Sequence, residues 1–248
     1  MSPSISAVPR FTAPAACLPS TCRECLTRPH CLPAGLDAAD LASFEHTVAR
    51  RQQLRRHERL YQCGAPLDHL FIVRGGQVKT ERPMPDGRPQ VVGFHLPGQL
   101  LGLEALSSRE YCCDAVALCD STVCAISYPM LSSLLQQRGA LLQRFHALFG
   151  NELARQQTST LLLGNARAPQ RLAAFLLDLA ASHHAPAPPA SSFELRMSRD
   201  DIASHLGLAL ESVSRQLTQF RAAGLLDVQN RRIELLDAAA LRAIAISS

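Results

Sequence analysis

The sequence predicts an α+β fold with three parts: an N-terminal β-roll, a long helix and a C-terminal winged helix-turn-helix. Residues 60–130 contain short apolar runs separated by glycine- and proline-rich turn signals, a pattern typical of a small antiparallel roll. Residues 134–165 follow a helical period. Residues 198–236 indicate a short helix, a glycine turn, a second helix and a hairpin.

The composition excludes several classes of protein. Of the 248 residues, 47% are hydrophobic and 19% are charged, which rules out wholesale disorder. No apolar run approaches the roughly 18 residues of a membrane span, and the N-terminus lacks the apolar core of an export signal. We therefore expect a cytoplasmic protein with no membrane partner. Its nine cysteines should then not form disulfides, which leaves buried thiols, redox chemistry or metal binding.

These patterns divide the chain into four segments. Residues 1–36 are rich in Pro, Ser, Thr and Cys without any period, which indicates an extended cysteine-rich arm. Residues 37–133 form the β-roll, introduced by a short helix over Leu36–Val48. Residues 134–165 form the long helix, and residues 166–248 form the winged helix-turn-helix domain.

Within the roll, strand-like runs lie at Leu70–Val73, Val91–Phe94 and Ala115–Tyr128. The sequence Pro85-Asp86-Gly87 predicts a hairpin turn, and Pro97-Gly98 predicts another corner. Each run is short and ends at a turn residue, as antiparallel strands of a roll do.

The long helix carries a heptad-like seam with alternating spacings of four and three residues, typical of a coiled coil. A second apolar face could pack against the roll, although one broad core face explains the pattern equally well. The seam consists of Leu142, His146, Phe149, Leu153, Gln156, Thr160 and Leu163, and the second face of Leu141, Phe145, Leu148 and Leu162.

The C-terminal segment predicts a DNA-reading motif. Ser198 begins a short helix with a capping-box-like pattern, Gly207 supplies the turn, and a second helix runs over residues 209–223. One face of this second helix is apolar and can fill a small core (Leu210, Val213, Leu217, Phe220), and another carries Glu211, Ser214, Arg215 and Thr218. Arginine can bind guanine, and glutamate can accept from a base amine, but such polar stripes also occur on ordinary surface helices.

Three cysteines of the arm, Cys22, Cys25 and Cys31, lie within ten residues and could surround one soft metal centre. The spacing fits neither a zinc knuckle nor a thioredoxin-type motif well, and free thiols are the simplest alternative. A fourth ligand would come from elsewhere, and spacing alone does not choose it. The candidates are Cys17, Cys63, Cys112, Cys113, Cys119 and Cys124.

Together, several motifs occur in a characteristic order. They are the Cys-x2-Cys-x5-Cys array, Gly93-Phe94-His95-Leu96-Pro97-Gly98, the long helix, Arg171-Leu172-Ala173-Ala174-Phe175 and Glu211-Ser212-Val213-Ser214-Arg215. Because these motifs occur in this order, the chain closely resembles the oxygen-sensing FNR-type transcription regulators of the CRP/FNR superfamily. The resemblance covers nearly the whole chain and implies that the roll is of the cyclic-nucleotide-binding type.

The resemblance also implies site residues and partners. It assigns a [4Fe–4S] cluster to Cys22, Cys25, Cys31 and Cys124, and leaves Cys17 as an extra cysteine. It makes Glu211, Ser214 and Arg215 the base-reading residues, on an inverted repeat of the TTGAT…ATCAA kind in double-stranded DNA. It implies a homodimer paired through Leu142, Phe149, Leu153, Gln156 and Leu163. The loop at Asp86-Gly87 would contact RNA polymerase.

This chain departs from the pattern at three points. The stretch comprising Leu103 and Tyr111-Cys112-Cys113-Asp114 lacks the Glu and the Arg-Ser/Thr pair that hold a cyclic phosphate in related receptors, so we expect no cyclic nucleotide. Gln156 replaces a frequent acidic residue, which predicts a leakier switch between monomer and dimer. Ala209 replaces a common threonine, so a helix cap or phosphate contact is missing.

Other functions remain alternatives at this stage. A regulator of the same superfamily with a zinc or thiol-redox arm would keep the helix-turn-helix but contain no iron. An iron–sulfur electron carrier would account for the cysteines but not for the Glu211–Arg215 motif. The sequence shows no nucleophile–base pair or phosphate-binding glycine loop, so we do not expect an enzyme.

Overall fold

The computed structural model describes residues 21–85, 87–182 and 192–246. Three features singled out above lie outside these described residues, namely Cys17, Asp86 and the Pro/Ala linker at 183–189. Within the described residues, no helix combines the length and apolarity needed to cross a bilayer.

The roll begins with a short helix that Asp37 caps by accepting a hydrogen bond from the Asp40 backbone N–H at 2.8 Å. Its strands form two sheets, ordered β1-β8-β3-β6 and β2-β7-β4-β5, with antiparallel pairing throughout. The elements are α1 (Ala38–Thr47), β1 (Val48–Leu54), β2 (Arg59–Tyr61), β3 (His69–Gly75), β4 (Val78–Arg82), β5 (Gln90–His95), β6 (Leu100–Leu101), β7 (Asp114–Ala117) and β8 (Ser121–Ser127).

The core of the roll lies between these sheets. Val73, Val123, Ala125 and Ile126 are completely buried, and α1 adds Phe44. Burial of each valine, isoleucine or phenylalanine side chain among them stabilises the fold by roughly 1.5–3 kcal/mol. The predicted roll and its introductory helix are thus confirmed.

Two helices follow, α2 (Tyr128–Gln137) and α3 (Gly139–Asn165). The sequence pattern predicts one helix over residues 134–165, but the chain is extended at Arg138 (φ −123°, ψ 93°). The Arg138 guanidinium lies 3.2 Å from the Asp40 carboxylate of α1, a contact that accompanies this break. The break lets α2 pack against α1, while Leu141, Phe145 and Leu148 of α3 pack into the core of the roll.

The C-terminal part is a helix-turn-helix with a three-stranded sheet, β10-β11-β9. A capping box formed by Ser198 and Asp201 begins its first helix, and Gly207 in the left-handed conformation (φ 60°) ends it. The elements are α4 (Ala168–Ser182), β9 (Ser192–Glu194), α5 (Arg199–Leu206), α6 (Leu210–Ala222), β10 (Leu226–Gln229), β11 (Arg232–Leu235) and α7 (Ala238–Ile246). The predicted winged helix-turn-helix is confirmed, with β9 as an additional strand.

The C-terminal part packs directly against β4 and β5 of the roll. Lys79 on β4 donates to the Asp201 carboxylate at 2.8 Å, and the Val91 N–H donates to the Ser204 hydroxyl at 2.9 Å. The ring of Phe94 lies 5.1 Å from that of His205, which belongs to α5. An aromatic and polar interface therefore holds the C-terminal helix-turn-helix part against the roll.

This interface predicts a pH-dependent stability. Burial, aided by the Arg155 charge, lowers the pKa of both His95 and His205 to about 4. In the unfolded chain these rings titrate near 6.5, so acidification protonates the unfolded state first. The free energy of unfolding should fall by about 2 kcal/mol per imidazole between pH 7 and pH 5, as measured by denaturant titration.

The control for this prediction compares two single variants. His205→Gln should flatten the pH profile by removing one of the two buried rings, and His95→Gln should flatten it in the same way. A His205→Gln profile as steep as that of the unmodified chain contradicts the assignment.

Candidate cysteine centre and DNA-reading helix

The four predicted ligands line one pocket. Cys22, Cys25 and Cys31 come from the irregular segment before α1, and Cys124 comes from β8. The buried ring of Phe44 contributes to its lining. The structure therefore brings together thiols that are up to about 100 positions apart in sequence.

The arm reaches this position through consecutive tight turns. The N–H of Cys25 donates to the Cys22 carbonyl at 3.3 Å, and the N–H of Arg28 donates to the Cys25 carbonyl at 3.1 Å. The N–H of Cys31 donates to the Arg28 carbonyl, also at 3.1 Å. These turns wind the segment around the pocket, so its backbone donors are satisfied locally while the thiols remain available.

The thiols differ in their electrostatic environment. Burial and the Glu45 carboxylate raise the pKa of Cys22 to about 11, and burial also raises the pKa of Cys31 and of Cys124. Burial opposes ionisation of Cys25 as well, but hydrogen bonding to Thr27 and interaction with Arg74 leave its pKa below the usual value. Cys25 is thus the thiol that ionises most readily.

Two arginines add positive charge around the pocket. Arg74 of β3 interacts with the Cys25 thiol, and Arg51 of β1 hydrogen-bonds to the Cys124 thiol. Both lower the pKa of the neighbouring thiol. A centre built from four thiolates carries negative charge, which these guanidinium groups compensate. Sequence reasoning missed both residues, because neither forms part of a motif.

The donor set suits a multinuclear soft metal centre. Four thiolates bound to one zinc ion would lie about 3.8 Å apart, given Zn–S bonds of about 2.3 Å. In the described part of the chain, no three His, Cys, Asp or Glu side chains come close enough to hold a single ion. In a [4Fe–4S] cluster each of the four thiolates would bind a different iron, so the same four donors would be spaced more widely than around one ion. The residues present fit such a cluster.

The arm also contacts the long helix. Arg144 of α3 donates to the Cys31 carbonyl at 3.4 Å. Gly98 adopts φ +93° beside His30, and an added Cβ there would lie 3.1 Å from the His30 carbonyl oxygen. Only glycine therefore allows this close approach of arm and roll. The arm is thus connected to both the roll and α3.

The predicted pairing residues lie mostly on one exposed face of α3. Phe149, Leu153 and Leu163 are 43%, 52% and 39% exposed, unusually high for large apolar side chains. Gln156 is also exposed and donates to Glu152 at 2.8 Å. Leu142 differs, because it is half-buried against the core of the roll together with Phe145 and Leu148. α3 therefore has two apolar faces, of which one is covered.

The recognition helix α6 presents Glu211 and Arg215 to solvent, with Ser214 half-buried between them. Arg199 of α5, which sequence reasoning missed, donates to the Ser214 hydroxyl at 3.4 Å. Ala209 at the N-cap makes no side-chain cap bond.

The apolar face of α6 packs against α5 and α4, with Val213, Leu217 and Phe220 buried. The expectation that Leu210 fills this core is wrong, since it is 42% exposed at the first turn of the helix. Gln216 is buried in this helix instead.

Comparison with known proteins shows similarity along most of the chain. Residues 170–244 match the model of the Crp-like helix-turn-helix domain, and residues 51–138 match that of the cyclic nucleotide-binding domain. The transcriptional regulatory protein Btr of Bordetella pertussis is 36% identical over 89% of this chain and 91% of its own. The transcriptional activator protein Anr of Pseudomonas aeruginosa is 36% identical over 90% of this chain and 92% of its own.

A solved structure, that of FixK2 from Bradyrhizobium japonicum, is also similar. Its TM-score is 0.74 at 31% sequence identity, and the match covers 81% of this chain and 99% of that one.

Arg171 provides a test of how the C-terminal helix-turn-helix part is attached to α3. Its guanidinium donates to the carbonyls of Leu163, Ala166 and Leu206 at 2.8–3.0 Å, which ties α3, α4 and α5 together. We expect Arg171→Ala to lower the free energy of unfolding by about 2–3 kcal/mol, because these carbonyls lose a charged donor. Thermal and denaturant unfolding measure the change.

The matched control is Arg167→Ala, which removes an exposed arginine four residues earlier. This control should change the stability by less than about 0.5 kcal/mol. Equal effects of the two variants would contradict the role assigned to Arg171.

Proposed function

Since this chain belongs to the FNR-type branch of the CRP/FNR superfamily of transcription regulators, we propose that it senses oxygen through a [4Fe–4S] cluster. The observation that carries the proposal is the convergence of Cys22, Cys25, Cys31 and Cys124 on one pocket. Membership of this family implies a DNA-binding regulator. Our proposal adds the cluster, the oxygen response, the homodimer and the operator.

The four cysteines would hold the cluster, with Arg51 and Arg74 compensating its charge. When bound, such a cluster supplies an oxygen-labile cross-link between the arm and β8. The protein's own contribution is to fix the arm against the roll. Without the cross-link, the arm keeps its turns, the contact of His30 with Gly98, the hydrogen bonds from the Cys22 N–H to Glu45 and from Arg144 to the Cys31 carbonyl, and the buried side chain of Leu32.

The response would reach DNA through pairing of α3. Phe149, Leu153 and Leu163 form an apolar face that a second copy can cover, and this exposure supports a homodimer. Gln156 and Thr160 interrupt the face with polar groups, so pairing is weak without further support. An arm fixed against the roll and α3 supplies that support under anaerobic conditions.

A two-fold dimer presents two copies of α6 to successive major grooves, about one helical turn apart. Glu211, Ser214 and Arg215 would then read each half of a palindromic site of the TTGAT…ATCAA kind. Arg215 can bind guanine through two hydrogen bonds, and Glu211 can accept from a base amine. RNA polymerase would be the partner at the promoter, through the turn that contains Gly87.

The alternative is a regulator of the same family that uses a zinc or thiol-redox arm. It keeps the DNA-reading helix and the exposed face of α3, and differs only in what the four thiols bind. Iron and sulfide analysis of anaerobically purified protein distinguishes the two, because only the proposed function predicts both elements. An iron–sulfur electron carrier, the remaining alternative, is disfavoured because it does not account for the DNA-reading helix.

Cys124 provides the first test. Cys124→Ser should abolish cluster assembly, because it removes the only proposed ligand from outside the arm. Iron per chain and the visible absorbance of anaerobic protein measure the loss. The control is Cys119→Ser, which changes a cysteine five residues earlier in the sequence. This variant should retain full iron content. Retention of the cluster in Cys124→Ser would refute the ligand assignment.

Arg215 provides the second test. Arg215→Ala should weaken binding to the palindromic site by about 1–3 kcal/mol while leaving binding to unrelated DNA nearly unchanged. Fluorescence anisotropy at fixed salt measures both affinities. The control is Arg221→Ala, since Arg221 lies at the end of α6 and pairs with Asp227 at 3.2 Å. An equal loss on both DNA sequences would mean that Arg215 contacts only phosphate.

A further inference from the structure

A cavity of about 510 Å³ lies between the roll and α3, separate from the cysteine centre. Its volume falls within the range of about 300–1,000 Å³ that is usual for small-molecule sites. Most of its wall is apolar, formed by Leu100, Leu101, Leu103, Leu106, Phe149 and Leu153. Such a wall favours an apolar ligand group over water.

One wall of this cavity carries two adjacent thiols, Cys112 and Cys113, beside Glu104. The Cys113 thiol donates to the Glu104 Oε1 atom at 3.2 Å, and the Tyr61 hydroxyl donates to the same oxygen at 3.2 Å. The Cys112 sulfur lies 3.9 Å from the Glu104 carbonyl oxygen. Adjacent residues of a strand would point to opposite faces, but these two lie in a bend before β7, so both reach one cavity.

This wall selects the class of ligand. The Glu104 carboxylate disfavours an anionic ligand group next to the two thiols, and Arg82, the arginine of this lining, is exposed to solvent. Burial and the Glu104 charge raise the pKa of Cys113, so its thiol stays protonated. Across the described residues, no group of three protein ligands is arranged around a single ion. A ligand that needs only two sulfur atoms and brings its own apolar group fits better.

We propose that Cys112 and Cys113 form a dithiol site for trivalent organoarsenicals of the type R–As(OH)₂, with the organic group in the leucine-rich cavity. Two As–O bonds break and two As–S bonds form, and both thiol protons leave in the two released water molecules. Arsenic remains trivalent, so no oxidant or reductant takes part. Glu104, already hydrogen-bonded to Cys113, accepts the proton of that thiol and passes it to the leaving hydroxide.

The site is independent of the iron–sulfur proposal but adjoins the pairing face. Phe149, Leu153 and Gln156 line the cavity as well as the exposed face of α3. The organic group therefore contacts side chains that also meet a second copy of the chain.

The test uses the full-length chain with Cys17, Cys22, Cys25 and Cys31 changed to serine, which removes all four arm thiols. The probe is phenylarsine oxide, and native mass spectrometry counts arsenic per chain. We expect one arsenic per chain, released by ethanedithiol. Because the cavity takes up the phenyl ring, phenylarsine oxide should bind about tenfold more tightly than arsenite.

Single variants identify the thiols. Cys112→Ser and Cys113→Ser should each weaken binding about 100-fold, because a second bond within one site supplies a large effective concentration. Cys63→Ser and Cys119→Ser are the matched controls and should bind as before. Unchanged binding after loss of Cys112 or Cys113, or no adduct in the starting chain, would overturn the proposal.

Cys113 is buried, so its variant could fail to fold, and a second measurement covers that outcome. Proteolytic mapping of the starting chain should locate the arsenic on the single peptide that contains both Cys112 and Cys113. Arsenic bridging any other cysteines would refute the site. Leu106→Asn should reduce the preference for phenylarsine oxide over arsenite while both thiols remain, and an unchanged preference would refute the role of the cavity.

Discussion

The alternation of side chains along β8 is the constraint on which the cysteine centre depends. Val123 and Ala125 point into the core and are completely buried, so Cys124 must lie on the opposite face of the strand. β8 lies between β1 and β3, and the partners of Cys124 across the sheet are Arg51 and Ile72. A rigid central strand thus supplies one thiol, and the arm that covers this face supplies three. Any shift of register by one residue would remove Cys124 from the pocket.

This arrangement explains which parts of the site the sequence can predict. The three arm cysteines are close in sequence, so their spacing alone indicates a shared centre. The fourth ligand depends on strand pairing between distant segments, and only the resemblance to a family singled out Cys124. Arg74 and Arg144 were missed for the same reason, because the groups that they contact lie far away in sequence. Local signals were sufficient for the capping box at Ser198 and the turn at Gly207.

Where prediction failed, tertiary contacts decided the outcome. Leu210 has the correct helical spacing for the core, but it occupies the first turn of α6 and remains exposed. Likewise, the periodicity over residues 134–165 continues through Arg138, where the contact with Asp40 accompanies a break. The seam of α3 was the other feature that the sequence left open. Its seam residues looked equally suited to a core and to a partner until the structure showed that Phe149 and Leu153 are exposed.

The proposed oxygen response depends on coupling between two weak equilibria, the docking of the arm and the pairing of α3. In the proposed switch, a seam interrupted by Gln156 and Thr160 would give a dimer that is marginal by itself, so a modest stabilisation of the arm would shift the population substantially. The same coupling would work in reverse, since dimers on DNA would stabilise the form of the arm that they require. The contacts of Lys79 and Phe94 with α5 connect the roll to the helix-turn-helix that contains α6.

Sedimentation velocity of the iron-loaded protein before and after exposure to air tests the central claim most directly. We expect a dimer under argon that dissociates to a monomer as the visible absorbance of the cluster disappears. Cys124→Ser should sediment as a monomer in both atmospheres. An association state that is the same with and without the cluster would contradict the account.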